Sequence, residues 1–129
     1  MTDKTPAGEA SAAVCRAVVK DGRRHRALNP WSEKDGALLQ AVSRGEYAIN
    51  GLRNRDVRRQ LWPKAGTDRE ERRRAGRVTR QLRLLRAHGL LRKVSGTHRY
   101  VVTAGGRKII TALLAARQAD VEQLTALAA

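Results

Sequence analysis

The sequence predicts a mainly α fold with a small β-hairpin (α+β) and a long C-terminal helix. Three observations predict it. Apolar residues recur at steps of three and four in segments that open at Ser32, Thr67 and Thr103, the spacing of one helix face. After Gly89 the period changes to two across Leu91 to Thr103 and centres on Ser95-Gly96-Thr97, a hairpin signal. The helical stripe then resumes and runs on to Leu127. A chain of 129 residues suits one compact domain with a flexible arm.

Residues 1–12 are small or polar and read as a disordered arm. Residues 12–20 (AAVCRAVVK) are compatible with a short strand or a helical turn. Asp21-Gly22 is a turn dipeptide, and a basic patch runs from it to Arg26. We treat residues 13–30 as a basic arm or linker, packed on the core or laid along a phosphate backbone. Pro30 and Ser32 open the first helix, Ser32 with Asp35 resembling a capping pair. Trp31 is placed to staple the helix entry. Leu38, Leu39, Ala41 and Val42 form its apolar face, and Gly45 should stop it. Tyr47-Ala48-Ile49 then reads as a very short strand and Asn50-Gly51 as a turn. A second helix follows over Arg53 to Trp62, with Leu52, Val57 and Leu61 inward, and Pro63 to Thr67 is a loop.

Thr67 to Gly89 (TDREERRRAGRVTRQLRLLRAHG) reads as one helix. Thr67 and Glu70 have capping-box spacing, Asp68, Glu70 and Glu71 suit the positive end of the helix dipole, and Gly89 can take the left-handed stop. Ala75, Val78, Leu82 and Leu85 make a narrow apolar stripe. Arg69, Arg72, Arg73, Arg77, Arg80 and Arg83 spread over the opposite face at about 100° per residue. Leu84 falls near that basic face, which suits contact with another element, a partner chain or a base methyl. Like charges such as Arg69–Arg73 and Arg73–Arg77 each cost roughly 0.2–0.5 kcal/mol in an isolated helix. A polyanion would remove that repulsion, whereas a merely solvated face normally mixes both signs.

Beyond Gly89, Leu91 to Val94 and His98 to Thr103 read as strands. Tyr100 and Val102 share one face, and Arg99 and Val101 the other. Thr103 caps the last helix, whose apolar positions are Ile109, Ile110, Leu113, Leu114, Val121, Leu124 and Leu127. We place the folded domain at 31–116. The stripe continues past it into 117–129, which would either fold back or pair with a second copy as a homodimer.

The net charge is +15, and 21 of the 27 basic residues are Arg. Such a charge points to a polyanionic partner, nucleic acid first and an anionic membrane surface second. Arg suits bidentate contacts to phosphate and guanine, although high genomic GC content also enriches it. Cys15 is the only cysteine, so neither an internal disulfide nor a thiolate-built zinc site is available. The chain has no apolar run of membrane-spanning length and no signal-peptide start, which makes a cytoplasmic, nucleoid-associated place the default. An enzyme is not expected. His25, His88 and His98 are scattered, and Glu70 and Glu71 are adjacent and point apart. Gly105-Gly106 lacks the further glycines of a phosphate-binding loop. No metal, cofactor or catalytic group is implied.

The predicted order is helix, short strand, helix, helix, hairpin, helix. With Leu82, Leu85, Gly89, Leu90, Leu91, Tyr100, Val102, Thr103, Gly106 and Arg107 at their places, the chain resembles the winged helix-turn-helix superfamily over about 31–116. It is also similar to the C-terminal portion of a group of uncharacterised Arg-rich bacterial proteins. The resemblance implies that the third helix offers its N-terminal half to base edges in a major groove. It would put Arg73, Arg77 and Arg80 near bases and Arg69, Arg72 and Arg83 near phosphates. The hairpin would be the wing, with Thr97, His98 and Arg99 reaching a backbone or minor groove and Arg92 and Lys93 extending the surface. Arg53, Arg55, Arg58 and Arg59 would contact flanking phosphates or form a solvent face. The expected function is duplex DNA binding, as a transcriptional regulator acting as a dimer. An RNA-binding winged helix, a protein-docking adaptor and a tail module of a larger enzyme are the alternatives. The few aromatics, Trp31, Tyr47, Trp62 and Tyr100, argue against single-strand stacking.

Overall fold

The computed structural model describes residues 12–128, so the arm expected over 1–12 lies, but for Ala12, outside the described residues. The chain is mostly helical and carries two antiparallel hairpins where the sequence predicted one. A helical turn at 12–14 leads into strands β1 (Val18–Lys20) and β2 (Arg23–His25). Helices α1 (Glu33–Val42), α2 (Tyr47–Asn50), α3 (Asn54–Leu61) and α4 (Asp68–Ala87) follow. Strands β3 (Leu91–Lys93) and β4 (Tyr100–Val102) and helix α5 (Ala104–Ala128) complete the chain.

The first hairpin settles what the pattern over 12–20 left open. Val18, Val19 and Lys20 pair with His25, Arg24 and Arg23. Asp21 and Gly22 both have positive φ, 52° and 75°, the conformation of the two-residue turn that matches strand twist. The segment packs on the core: Val14 and Leu28 are almost fully buried. Arg26 forks onto Asp35 in the first turn of α1, with both contacts at 2.8 Å, and the Asn29 N–H reaches the same carboxylate at 2.9 Å. The same segment is tied to the end of α4, where His88 Nε2–H donates to the Arg26 carbonyl at 2.8 Å and Lys20 Nζ donates to the Arg86 carbonyl at 3.2 Å.

The short strand expected at Tyr47-Ala48-Ile49 is instead one helical turn, α2. Pairing begins at Leu52, whose N–H and C=O exchange 2.8 Å bonds with Tyr100. The physical reason is burial. Leu52 is 0 % exposed and its backbone must be paired, whereas Ile49 is 90 % exposed. Gly51, at φ 73°, turns the chain between them, and a Cβ there would lie 2.4 Å from the Tyr100 carbonyl oxygen. Leu52 thus adds a one-residue third line to the β3–β4 hairpin, whose register is Leu91↔Val102, Arg92↔Val101 and Lys93↔Tyr100.

The core joins Leu38, Leu39 and Val42 of α1, Val57 of α3, Val78, Leu82 and Leu85 of α4, Leu90 and Leu91, and Ile110 of α5. Ser32 Oγ accepts from the Asp35 N–H at 3.1 Å as expected, but the Asp35 carboxylate turns to Arg26 instead of closing the capping pair. Trp31 is half-exposed, and its indole N–H bonds Asp120 on α5. Thr103 caps α5, accepting from the Gly106 N–H at 2.8 Å. Gly106 lies where a Cβ would meet the Leu90 carbonyl oxygen at 2.3 Å, a packing reason for this glycine. No helix among the described residues is long and apolar enough to cross a membrane.

Burial by itself would raise the Asp35 carboxyl, but the Arg26 fork and the Asn29 N–H outweigh it and hold it below the ordinary range. Its stabilisation is therefore present above the unfolded-state pKa and is lost as pH falls through the folded-state one. Arg26→Ala should cost about 1–3 kcal/mol at neutral pH, because it strips a buried carboxylate of its main partner. Urea denaturation should show that loss shrinking once the pH falls below about 4. A loss independent of pH would place the effect elsewhere.

Candidate nucleic-acid interface

Helix α4 begins on a closed capping box. Thr67 Oγ1 accepts from the Glu70 N–H at 3.2 Å, and Glu70 Oε1 accepts from the Thr67 N–H at 3.1 Å. It ends on Gly89 at φ 75°. The Gly89 N–H bonds the Arg86 carbonyl and the Leu90 N–H the Leu85 carbonyl, the paired closure of a glycine-stopped helix. Asn54 at the start of α3 clasps the middle of α4, with Nδ2 at 2.9 Å from the Ala75 carbonyl and 3.0 Å from Thr79 Oγ1.

The cations of α4 divide into two groups. Arg74, which the sequence did not single out, is an internal brace. It contacts Glu71 at 2.8 Å, Glu70 at 3.8 Å and the Lys64 carbonyl at 3.2 Å, and it stacks 5.3 Å from the Trp62 ring centroid. Arg58 closes the same cluster, 3.3 Å from Glu71. The Gly66 N–H, with Arg74 and Arg58, holds the Glu71 carboxyl below the ordinary range, and the Thr67 backbone does the same for Glu70. The second group is Arg69, Arg72, Arg73, Arg80 and Arg83. All five are exposed, and none forms an ion pair among the described residues.

Arg77 stands apart from the five with which the sequence grouped it. It is half-buried, its guanidinium lies 5.3 Å from the Trp62 ring centroid, and its Nε is buried without a partner among the described residues. Leu84 is buried, at 7 % exposure, beside residues of the β1–β2 hairpin. Of the roles open to it, contact with another element is the one the fold uses. The buried arc of α4 is thus wider than the stripe of Ala75, Val78, Leu82 and Leu85, because Trp62 and the first hairpin cover its flank.

Gly76 went unremarked in the sequence, yet it falls in the middle of the arginine arc at about 100° per residue. A Cβ there would meet only Arg80 Nη1, at an ordinary 3.6 Å, so packing gives no reason for a glycine. A mid-helix glycine costs about 1 kcal/mol relative to alanine. That cost was the available sequence signal.

On the second hairpin, Arg92, Lys93 and His98 are exposed, while Thr97 and Arg99 are half-buried. The Thr97 hydroxyl serves the tip itself, donating to the Val94 carbonyl at 2.8 Å and accepting from the Arg99 N–H at 3.1 Å. Among the flanking arginines, Arg55 and Arg59 are exposed and Arg58 is committed to Glu71. The described residues gather no three His, Cys, Asp or Glu side chains as a metal site would.

No protein-family model, no curated protein and no solved structure matches this chain. The arrangement of charges is therefore the basis for any reading of function. Its chemistry is that of an anion-binding surface: forked donors, unneutralised and water-exposed, on a helix whose ends and roll are held by internal bonds.

Glu71→Gln should lower the melting temperature at neutral pH by loosening the Gly66–Arg74–Arg58 cluster. The difference from wild type should vanish as the Glu71 carboxyl protonates, below about pH 4. Thermal melts across pH read this directly, and equal melting temperatures at pH 7 would show that the cluster does not brace α4.

Proposed function

We propose that this chain binds duplex DNA through the outward face of α4, as a winged helix-turn-helix domain whose wing is the β3–β4 hairpin. The observation that carries the reading is the unpaired set Arg69, Arg72, Arg73, Arg80 and Arg83 around the bare backbone of Gly76. A helix of about 10–12 Å diameter fits the B-DNA major groove, whereas the deep, narrow major groove of A-form RNA excludes it. Gly76 lets the helix approach the groove or a phosphate strand without a side chain between them. The order α1, Leu52 bridge, α3, α4, β3, β4 supports the fold assignment, with Leu52 in place of the short strand before the second helix.

In this reading Arg73 and Arg80 lie nearest base edges, and Arg69, Arg72 and Arg83 bind phosphates. Arg92, Lys93, Thr97, His98 and Arg99 serve the wing, Thr97 by shaping its tip. A role as a transcriptional regulator belongs to the same proposal, as does self-association through α5. The latter is supported by the exposed Val121, Leu124 and Leu127, which extend its apolar face past Leu113.

Fluorescence anisotropy with a labelled duplex at about 50 and 200 mM salt tests the proposal. Neutralising Arg69 or Arg72 should each reduce the slope of log affinity against log salt by about one. Gly76→Ala should raise the melting temperature, since alanine favours a helix by about 1 kcal/mol over glycine, yet weaken duplex binding. Undiminished binding by Gly76→Ala and by the arginine variants would overturn the proposal, and preference for hairpin RNA would redirect it.

A further inference from the structure

We propose that the groove between the β1–β2 hairpin and the C-terminal half of α4 is a second anion site, one that takes phosphate groups. The groove has a volume of about 590 Å³. Arg23 and Arg24 line it from the hairpin, Arg77, Arg80 and Arg83 from α4, and Lys34 from α1. No Asp or Glu lines it, and among the described residues none of these six cations forms an ion pair. Arg26, also on its wall, is already neutralised by Asp35.

A second observation is independent of that charge. Gln81 also lines the groove, is only 4 % exposed, and has neither Oε1 nor Nε2 bonded to any described residue. The buried Nε of Arg77 beside it is likewise without a partner. Folded proteins rarely leave a buried amide wholly unpaired, and such a group is met by an ordered water, an ion or a ligand. Both donors, Gln81 Nε2 and Arg77 Nε, are closed to water, so they meet a phosphate oxygen only when their side chains turn toward the groove, where the exposed guanidinium groups hold the anion.

One phosphate does not fill the groove. Its size lies within the roughly 300–1,000 Å³ of small-ligand sites, which suits a run of phosphates. The run belongs either to a nucleic-acid strand continuing past α4 or to a free polyphosphorylated small molecule. Arg80 and Arg83 serve both the groove and the outward face of α4, so a free ligand here competes with a strand held there. The site stands on its own lining residues and does not require that the α4 face read a duplex.

Calorimetric titration with inorganic tripolyphosphate tests the site. Wild type should bind one equivalent. Arg23→Ala with Arg24→Ala should weaken binding by about tenfold or more, as expected on losing charge-assisted contacts. Arg69→Ala with Arg72→Ala, outside the groove, should change it by less than about twofold, since screened charges beyond a Debye length contribute little. Gln81→Leu should weaken binding while leaving the melting temperature equal or higher, because it removes an unpaired buried amide. Equal losses in the two double variants, or no saturable binding, would overturn the site. Duplex binding by the Arg23, Arg24 variant then separates the sources. A salt slope lower by about two marks a strand in the groove, while an unchanged slope with tripolyphosphate displacing duplex marks a free ligand. A duplex that binds wild type when tripolyphosphate does not would remove this site and leave the α4 reading standing.

Discussion

The seat of α4 in the core governs the arrangement of the cationic side chains it carries. Val78 and Leu85 are 0 % exposed and Leu82 is 1 % exposed, on a helix packed against α3, β3 and β1. Burying each such side chain contributes about 1.5–3 kcal/mol. Each like-charge pair on the opposite face costs only about 0.2–0.5 kcal/mol. Burial wins by a wide margin, so the helix forms despite its arginines and its roll about its own axis is set by the apolar edge. The capping box at Thr67 and the Gly89 stop then define where it begins and ends.

Three acids tie cations into the fold. Asp35 holds the N-terminal segment through Arg26, and Glu71 with Glu70 holds Arg74, Arg58 and the loop before α4. Trp62 supports the same corner from beneath, carrying Arg74 and Arg77 on its ring. Cation–π contacts of this kind contribute about 0.5–1 kcal/mol at exposed sites and more when desolvated. The result is a division within one charge run: some guanidinium groups are paired inside the fold, and the outward ones are left unneutralised.

The first hairpin changes the shape of that field. Without β1 and β2 the cationic surface would be one convex helix face. With them it becomes a face and an adjoining groove, joined along Arg80 and Arg83. The hairpin is tied to both ends of the arrangement, to α1 through Asp35 and to the end of α4 through His88 and Lys20. The geometry of the groove therefore depends on the same few hydrogen bonds that attach the N-terminal segment to the core.

Features set by neighbours in the chain were readable in the residues: both ends of α4, its apolar stripe, the hairpin after Gly89 and the Thr103 cap. Each depends on spacings of a few residues, where backbone geometry alone decides the outcome. The short strand was misplaced, because what makes Leu52 the extended residue is its bridge to Tyr100, far away in sequence. The outward arginines were likewise legible from periodicity. The withdrawal of Arg74 and Arg77 onto Trp62, the covering of Leu84 by the hairpin and the stranding of the Gln81 amide were not. Those depend on which distant segments come into contact, and a burial pattern of that origin leaves no period in the chain. Which residues are cationic and which helix carries them follows from local order; which cations remain free to act follows from packing.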